Sequence, residues 1–131
     1  MRVELIAFTA RGNALAERLA AELTGAGCPA ACTREGLRVE EWAARAFGRS
    51  EALVFVGAAG IAVRAIAPCL RHKSTDPAVV VVDEAGRYAV PILSGHLGGA
   101  NDLARRIAAL TGAEAGLTPA TEVHGGVGDD Q

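Results

Sequence analysis

Aromatic residues make up only 4% of this 131-residue chain: one Trp, one Tyr and three Phe. Base-stacking platforms are built from rings, so a surface that reads nucleic acid by stacking is not expected. Lysine is nearly absent as well. Lys73 is the one lysine against twelve arginines, no basic run occurs, and the formal net charge is −2. The electrostatic footprint of a nucleic-acid binder is missing. Cysteine is scarce, with Cys28, Cys32 and Cys69 only. An odd number argues against a disulfide framework. Cys28 and Cys32 lie four residues apart in a segment that reads as extended, which would separate them by roughly 13 Å, too far to bridge. Their spacing is not the close Cys-x-x-Cys of structural zinc sites, so all three read as ordinary buried thiols and no metal site is expected. Long apolar runs are also lacking. The N-terminal MRVELIAFTARG is too short in its apolar part for a signal-peptide core or a membrane span. The expected compartment is the cytoplasm, with neither membrane nor nucleic acid as partner.

What is present is one domain's worth of chain. Half the residues are hydrophobic and 21% charged, with 28 alanines, so a real core is within reach. Apolar runs alternate with amphipathic stretches. Arg2–Thr9 reads as a first strand and Asn13 as the N-cap of a helix with Leu15, Leu19 and Leu23 on one face, ended by Gly25 and Gly27. Pro29–Thr33 reads as a short strand and Val39–Phe47 as a second helix. Ala52–Val56 is a continuous apolar run suited to a central parallel strand. Gly57-Ala58-Ala59-Gly60 ends it, and Ile61–Ala67 opens a third helix disturbed by Pro68. Val79–Val82 and Tyr88–Leu93, joined by the turn Asp83–Gly86, predict a β-hairpin, with Pro91 at a free edge or a bulge. Ala100–Leu110 predicts a fourth helix, Leu117–Thr121 a last short strand, and residues 123–131 a flexible tail after a single domain over 1–122. Strands alternating with helices predict a three-layer α/β/α sandwich on a mainly parallel or mixed sheet of five or six strands. A bare sheet edge on such a domain would allow two copies to pair as a homodimer.

Ligands of such sheets gather at the carboxyl ends of strands, which draws attention to two glycine loops. Gly57–Gly60 leads from a buried strand into a helix, where free N–H groups can meet an anion; it can equally be a tight turn. Its spacing is not a dinucleotide fingerprint. Ser94-Gly95-His96-Leu97-Gly98-Gly99-Ala100-Asn101-Asp102 sets one histidine among three glycines between strand and helix. A histidine held there can act as general base or acid, with Gly95, Gly98 and Gly99 admitting substrate; the alternative is a loop histidine at a helix start. Ser94 precedes the first glycine, so no hydrolase elbow is formed. Between them, Arg64, Arg71, Lys73 and Asp76 cluster around a polar loop that can also be plain solvated surface. His72-Lys73-Ser74-Thr75 lacks the glycine frame of a phosphate loop, which disfavours a nucleotide-binding domain. Glu122, with Thr118 and Thr121, follows the last helix, where a strand end can bring it to the other groups or leave it as a surface carboxylate. If Val79–Val82 runs parallel to Ala52–Val56, the hairpin would put the two glycine loops at opposite ends of the sheet. The loop Arg71–Pro77 is long enough to cross first, and the expectation is that it does, bringing both glycine loops together.

From Leu53 to Thr121 the chain resembles the N-terminal domain of the CbiG family of cobalamin-biosynthesis proteins. The matching words are VGAAGIAVRAIAP (Val56–Pro68), KSTDPAVVVVDE (Lys73–Glu84), PILSGHLGGANDLARRIA (Pro91–Ala108) and TPATE (Thr118–Glu122). The resemblance implies a cobalt-precorrin-5A hydrolase of the anaerobic route, which opens a δ-lactone on a carboxylate-rich cobalt-corrinoid and releases acetaldehyde. It implies no cofactor, since cobalt would arrive within the substrate. On that basis Arg64, Arg71 and Lys73 would be carboxylate partners and His96 the base, oriented by Asp76 or Asp102. Backbone N–H groups of Gly98, Gly99 or Gly60 would hold the oxyanion, and Ser94 would position water. Gly57, Gly95, Asn101, Thr121 and Glu122 complete the expected substrate-binding set. Family members continue into a middle region and a C-terminal domain related to CobE, whereas this sequence stops at Gln131. A second reading is therefore a non-catalytic tetrapyrrole-binding or docking module that works with such a separate domain.

Overall fold

Two apolar runs without a single charge, Ala52–Val56 and Ala78–Val82, occupy the middle of the sheet and are buried along their whole length. Continuous β-branched runs behave this way when helices cover both faces. The computed structural model describes residues 1–32, 36–95 and 98–118. In chain order the elements are β1 (Val3–Ala7), α1 (Ala10–Gly25), β2 (Ala30–Cys32), α2 (Val39–Arg49), β3 (Ala52–Val56) and α3 (Ala59–Ile66). A 3-10 turn (Ala67–Cys69) then leads to β4 (Ala78–Val82), β5 (Tyr88–Leu93), α4 (Ala100–Thr111) and β6 (Glu114–Ala115).

The strand order is β2-β1-β3-β4-β5-β6. The first four strands are parallel; β5 runs against β4, and β6 runs with β5. On one face α1 and α4 bring Leu19, Leu23, Leu103 and Ile107 onto Leu5, Val54 and Val80. On the other, α2 and α3 bring Trp42, Ala46, Ala62 and Ile66 onto Ile6, Phe55 and Val81. Trp42 meets Phe55 edge-on, with ring centroids 5.4 Å apart and planes at 81°. Each large apolar side chain so buried contributes about 1.5–3 kcal/mol. The result is the expected three-layer α/β/α sandwich, with a mixed sheet of six strands.

Three local expectations change. The N-cap of α1 is Thr9, not Asn13: Thr9 Oγ1 accepts from the Gly12 N–H at 2.9 Å, and Asn13, inside the helix, donates to the Thr9 carbonyl. Gly12 allows this early start, because a Cβ there would sit 3.3 Å from Ala7 Cβ. The last strand is Glu114–Ala115 rather than Leu117–Thr121. Gly112 turns the chain at φ +79°, and Glu114 N–H reaches the Arg87 carbonyl at once, at 2.8 Å. Cys28 is buried, whereas Cys32 and Cys69 are half-buried. The hairpin forms as read, with Pro91 opposite Val80 next to an irregularity of register between Val79 and Val80. The expected domain boundary at residue 122 and the tail over 123–131 lie outside the described residues.

Candidate functional site

The hairpin decides where the two glycine loops go. Val56 lies beside Val82, Val82 beside Ala89, and Val79 beside Leu93. Gly57–Gly60 therefore leaves the carboxyl ends of the parallel strands, and Ser94 leaves from their amino ends. Five residues of strand, roughly 16 Å, lie between them. The loop Arg71–Pro77 does not cross the sheet. α3 makes the crossing, as a parallel β-α-β connection requires, and the loop stays at the amino end to feed β4. The expected meeting of both loops is overturned. Gly57 and Gly60 cannot share a site with Ser94, Gly95, Gly98 and Gly99, and the Gly60 N–H cannot share an oxyanion with Gly98 or Gly99.

At the amino end the structure does bring Asp76 to Ser94. Ser94 is fully buried and its hydroxyl donates to the Asp76 carbonyl at 3.1 Å. The Asp76 carboxylate accepts the Arg71 N–H at 3.1 Å with both oxygens. Among the described residues Ser94 is the only non-glycine with positive φ, at 56°. Such a backbone costs about 1–3 kcal/mol and persists only where its surroundings hold it. Here the Ser94 carbonyl accepts from Ala100 N–H at 3.1 Å and the Gly95 carbonyl from Asn101 N–H at 2.9 Å. The glycines are explained by this closure: a Cβ on Gly98 would lie 2.5 Å from Ser94 Cβ, and one on Gly95 would lie 2.8 Å from Asn101 Oδ1. They let the loop fold on itself. Asn101 thus packs on Gly95, Gly99 caps α4 with φ +85°, and exposed Asp102 pairs with Arg105 at 2.9 Å.

A cavity of 330 Å³ opens beside Asp76, lined by Phe47, Pro68, Cys69, Arg71, Thr75 and Pro77. Burial pushes the Cys69 thiol up, Arg71 pulls it down and Asp76 pushes it up further, with the net direction upward. A thiol so raised is not a nucleophile at neutral pH. Next to it, exposed His72 Nδ1 lies 2.6 Å from Ser74 Oγ and accepts the Ser74 N–H, a local staple of the loop that carries Lys73. Arg64 is exposed in the last turn of α3. His96, Thr121 and Glu122 lie outside the described residues.

The carboxyl end holds a second cavity, of 530 Å³, which the Gly57 loop shares with residues that no motif announced. Phe8, Thr9 and Arg11 from the end of β1, Val56, Gly57, Ala58 and Ile61 from the β3–α3 junction, and Asp83, Glu84, Ala85 and Arg87 from the hairpin line it. This is the topological switch point, because the chain leaves β1 toward β2 on one side and returns to β3 on the other. Open α/β sheets bind ligands in that crevice. The signal for these residues is strand order, which local spacing does not carry.

Asp83 organises the hairpin turn by accepting N–H groups of Ala85, Arg87 and Tyr88 at 3.3, 2.7 and 2.7 Å. Burial pushes its pKa up, but these three bonds and the Arg87 charge outweigh that and hold it below the ordinary 3.8. A depressed carboxyl stabilises the fold above its unfolded pKa and loses that contribution as pH falls through its folded one. Asp83→Ala is therefore expected to lose about 1 kcal/mol at pH 7, the turn being partly solvated. The gap to wild type should close in urea titrations below pH 3. A gap that persists unchanged at pH 2 contradicts the assignment.

Residues 41–122 match the family model described as cobalamin synthesis G N-terminal. A Salmonella typhimurium protein named cobalt-precorrin-5A hydrolase is 45% identical over 133 aligned positions, which cover 93% of this chain and 36% of that protein. A Priestia megaterium protein of the same name is 46% identical over 77 positions, covering 59% of this chain and 21% of its own length. A crystal structure of a cobalamin biosynthesis protein G homolog from Sulfolobus solfataricus superposes with a TM-score of 0.76 at 25% identity, over 89% of this chain and 36% of that one. The chain thus spans about a third or less of the length of these relatives. No helix among the described residues is long and apolar enough to cross a membrane.

Proposed function

The chain belongs to the cobalamin synthesis G N-terminal family, and from that premise we propose that it is the N-terminal part of a cobalt-precorrin-5A hydrolase. In this reading it works in the anaerobic cobalamin route, where the δ-lactone of a cobalt-corrinoid is opened and acetaldehyde released. The observation that carries it is 45% identity across 93% of the chain with a relative of that name. The middle and C-terminal, CobE-like regions of such proteins are its partners, and cobalt enters with the substrate.

Lactone opening needs a base for water and donors for the carbonyl oxygen. We assign the base to His96. Asp76 and Ser94 act as positioning residues: the carboxylate of one ties the Arg71 backbone, and the hydroxyl of the other ties the loop to the Asp76 carbonyl. Ser94 has no exposure to hold a water, so bracing replaces the water-positioning role. Gly98 and Gly99 N–H groups remain the candidate oxyanion donors, and Arg71 and Lys73 the nearby carboxylate partners. Asn101 and Asp102, on the first turn of the same helix, flank that site, whereas Gly57 and Gly60, at the carboxyl ends of the strands, do not belong to it.

The same bonds favour a second reading, a binding module. Every described group of the expected catalytic set is engaged in holding the loop, and chemistry would then lie in the downstream regions. The test is purified chain with substrate, with and without those regions, followed by acetaldehyde. The hydrolase reading expects release, and His96→Ala to lower kcat by about 10²-fold or more. Binding without release in every combination favours the module, and near-normal turnover of His96→Ala removes His96 from the chemistry.

A further inference from the structure

We propose that the 530 Å³ cleft at the carboxyl ends of β1, β3 and β4 binds a polycarboxylate, with Arg11 and Arg87 each taking one acidic arm and Phe8 and Ile61 taking its apolar edge. The size is that of a small-molecule site, and the lining has the usual composition: an apolar floor with a few charged groups at its rim. The rim is not electrically one-sided, because Asp83 and Glu84 line it too. Both carboxylates are tied to neighbouring groups of the protein. Asp83 takes three backbone N–H groups, and Glu84 Oε2 accepts the Thr9 hydroxyl at 2.6 Å. The guanidinium donors are not spent, although the Arg87 charge also faces Asp83. Neither makes a hydrogen bond among the described residues, and each carries five donors in a fork that matches a carboxylate.

The walls support the same class of ligand. Gly57, where a Cβ would lie 3.1 Å from the Phe8 ring, and Ala58 add no bulk at the β3–α3 junction. α3 opens without a side-chain cap and without an acidic residue in its first turn, which adds N–H groups and positive potential at the same wall. Ile61 is 37% exposed there, an apolar side chain with one face uncovered. The identity of the ligand as a carboxylate-rimmed tetrapyrrole rests on the hydrolase-family reading; its carboxylate chemistry rests on the cleft alone. The cleft takes an edge of such a macrocycle rather than the whole.

The experiment uses uroporphyrin, a tetrapyrrole with a carboxylate on each peripheral arm, titrated into the purified chain by fluorescence. Arg11→Gln and Arg87→Gln are each expected to raise Kd about tenfold, and the double variant about a hundredfold. Arg45→Gln, on the exposed face of α2, changes net charge equally and should leave Kd unchanged. The arginines are exposed, so folding is preserved and thermal melts confirm it. An unchanged Kd in the double variant, or no binding by wild type, overturns the proposal. Acetaldehyde assays with the downstream regions separate the two readings. Turnover by wild type with no uroporphyrin binding, or with binding that the double variant leaves unchanged, sinks the cleft and spares the hydrolase. Arginine-dependent binding without any turnover spares the cleft and sinks the hydrolase.

Discussion

Arg49→Ala is expected to lower folding stability by about 3 kcal/mol or more, the cost of leaving a buried carboxylate without its charge partner. Glu4 is the second residue of β1 and only 2% exposed. Arg49 holds it with both arms of its fork, Nε to Oε2 at 2.8 Å and Nη2 to Oε1 at 2.7 Å, while the Ser50 hydroxyl also donates to Oε2. Arg49 is the last residue of α2, where a cation also suits the helix end. The pair fastens α2 to the central strand, and its loss should appear as a fall in Tm of roughly 10 °C. Glu4→Gln in the same background should recover part of the loss, because a neutral amide is far less costly to bury than a carboxylate that has lost this arginine. A loss below about 1 kcal/mol in urea titration would sink this account.

Gly98→Ala is expected to cost about 2–3 kcal/mol by overpacking. A Cβ 2.5 Å from Ser94 Cβ and 3.1 Å from the Ser94 carbonyl has no flexible neighbour to displace, because Ser94 is fully buried and fixed at positive φ. The loop must open, which breaks the Ser94–Asp76 and Ala100–Ser94 bonds together. Gly60→Ala is the contrast. A Cβ there meets nothing within 4 Å, and the variant should gain about 0.5 kcal/mol from helix propensity. Equal effects at the two glycines in thermal melts would refute the difference drawn between them.

Much of the fold was legible from local pattern. The charge-free runs at Ala52–Val56 and Val79–Val82 announced central strands, and Asp83–Gly86 between them and Tyr88 announced the hairpin. The family words at Val56–Pro68 and Pro91–Ala108 pointed to the family that the comparisons then showed. What escaped was anything set by crossing direction. Whether Ser94 meets Gly57 depends on which element returns the chain across the sheet, and neither Arg71–Pro77 nor α3 declares that in composition. The switch-point residues Thr9, Arg11 and Arg87 were passed over for the same reason. They lie in three separate segments, and only the order β2-β1-β3-β4 puts them around one opening. The glycines of the Ser94 loop were legible as unusual but not as necessary, since the atoms they avoid belong to a serine held in a rare backbone conformation.

Pro91 has a consequence for how copies of this domain meet. Among the described residues β6 covers only Tyr88 and Ala89 of β5, which leaves the outer flank of β5 beyond them as a place where another chain's backbone could dock. Pro91 offers no N–H there, and the register irregularity at Val79–Val80 bends the strand just opposite it. At the far side the flanking strand, β2, is three residues long and follows Pro29. Short, proline-marked flanks are how sheets resist strand addition and fibre growth. Among the described residues, backbone pairing between copies is thereby discouraged at both flanks.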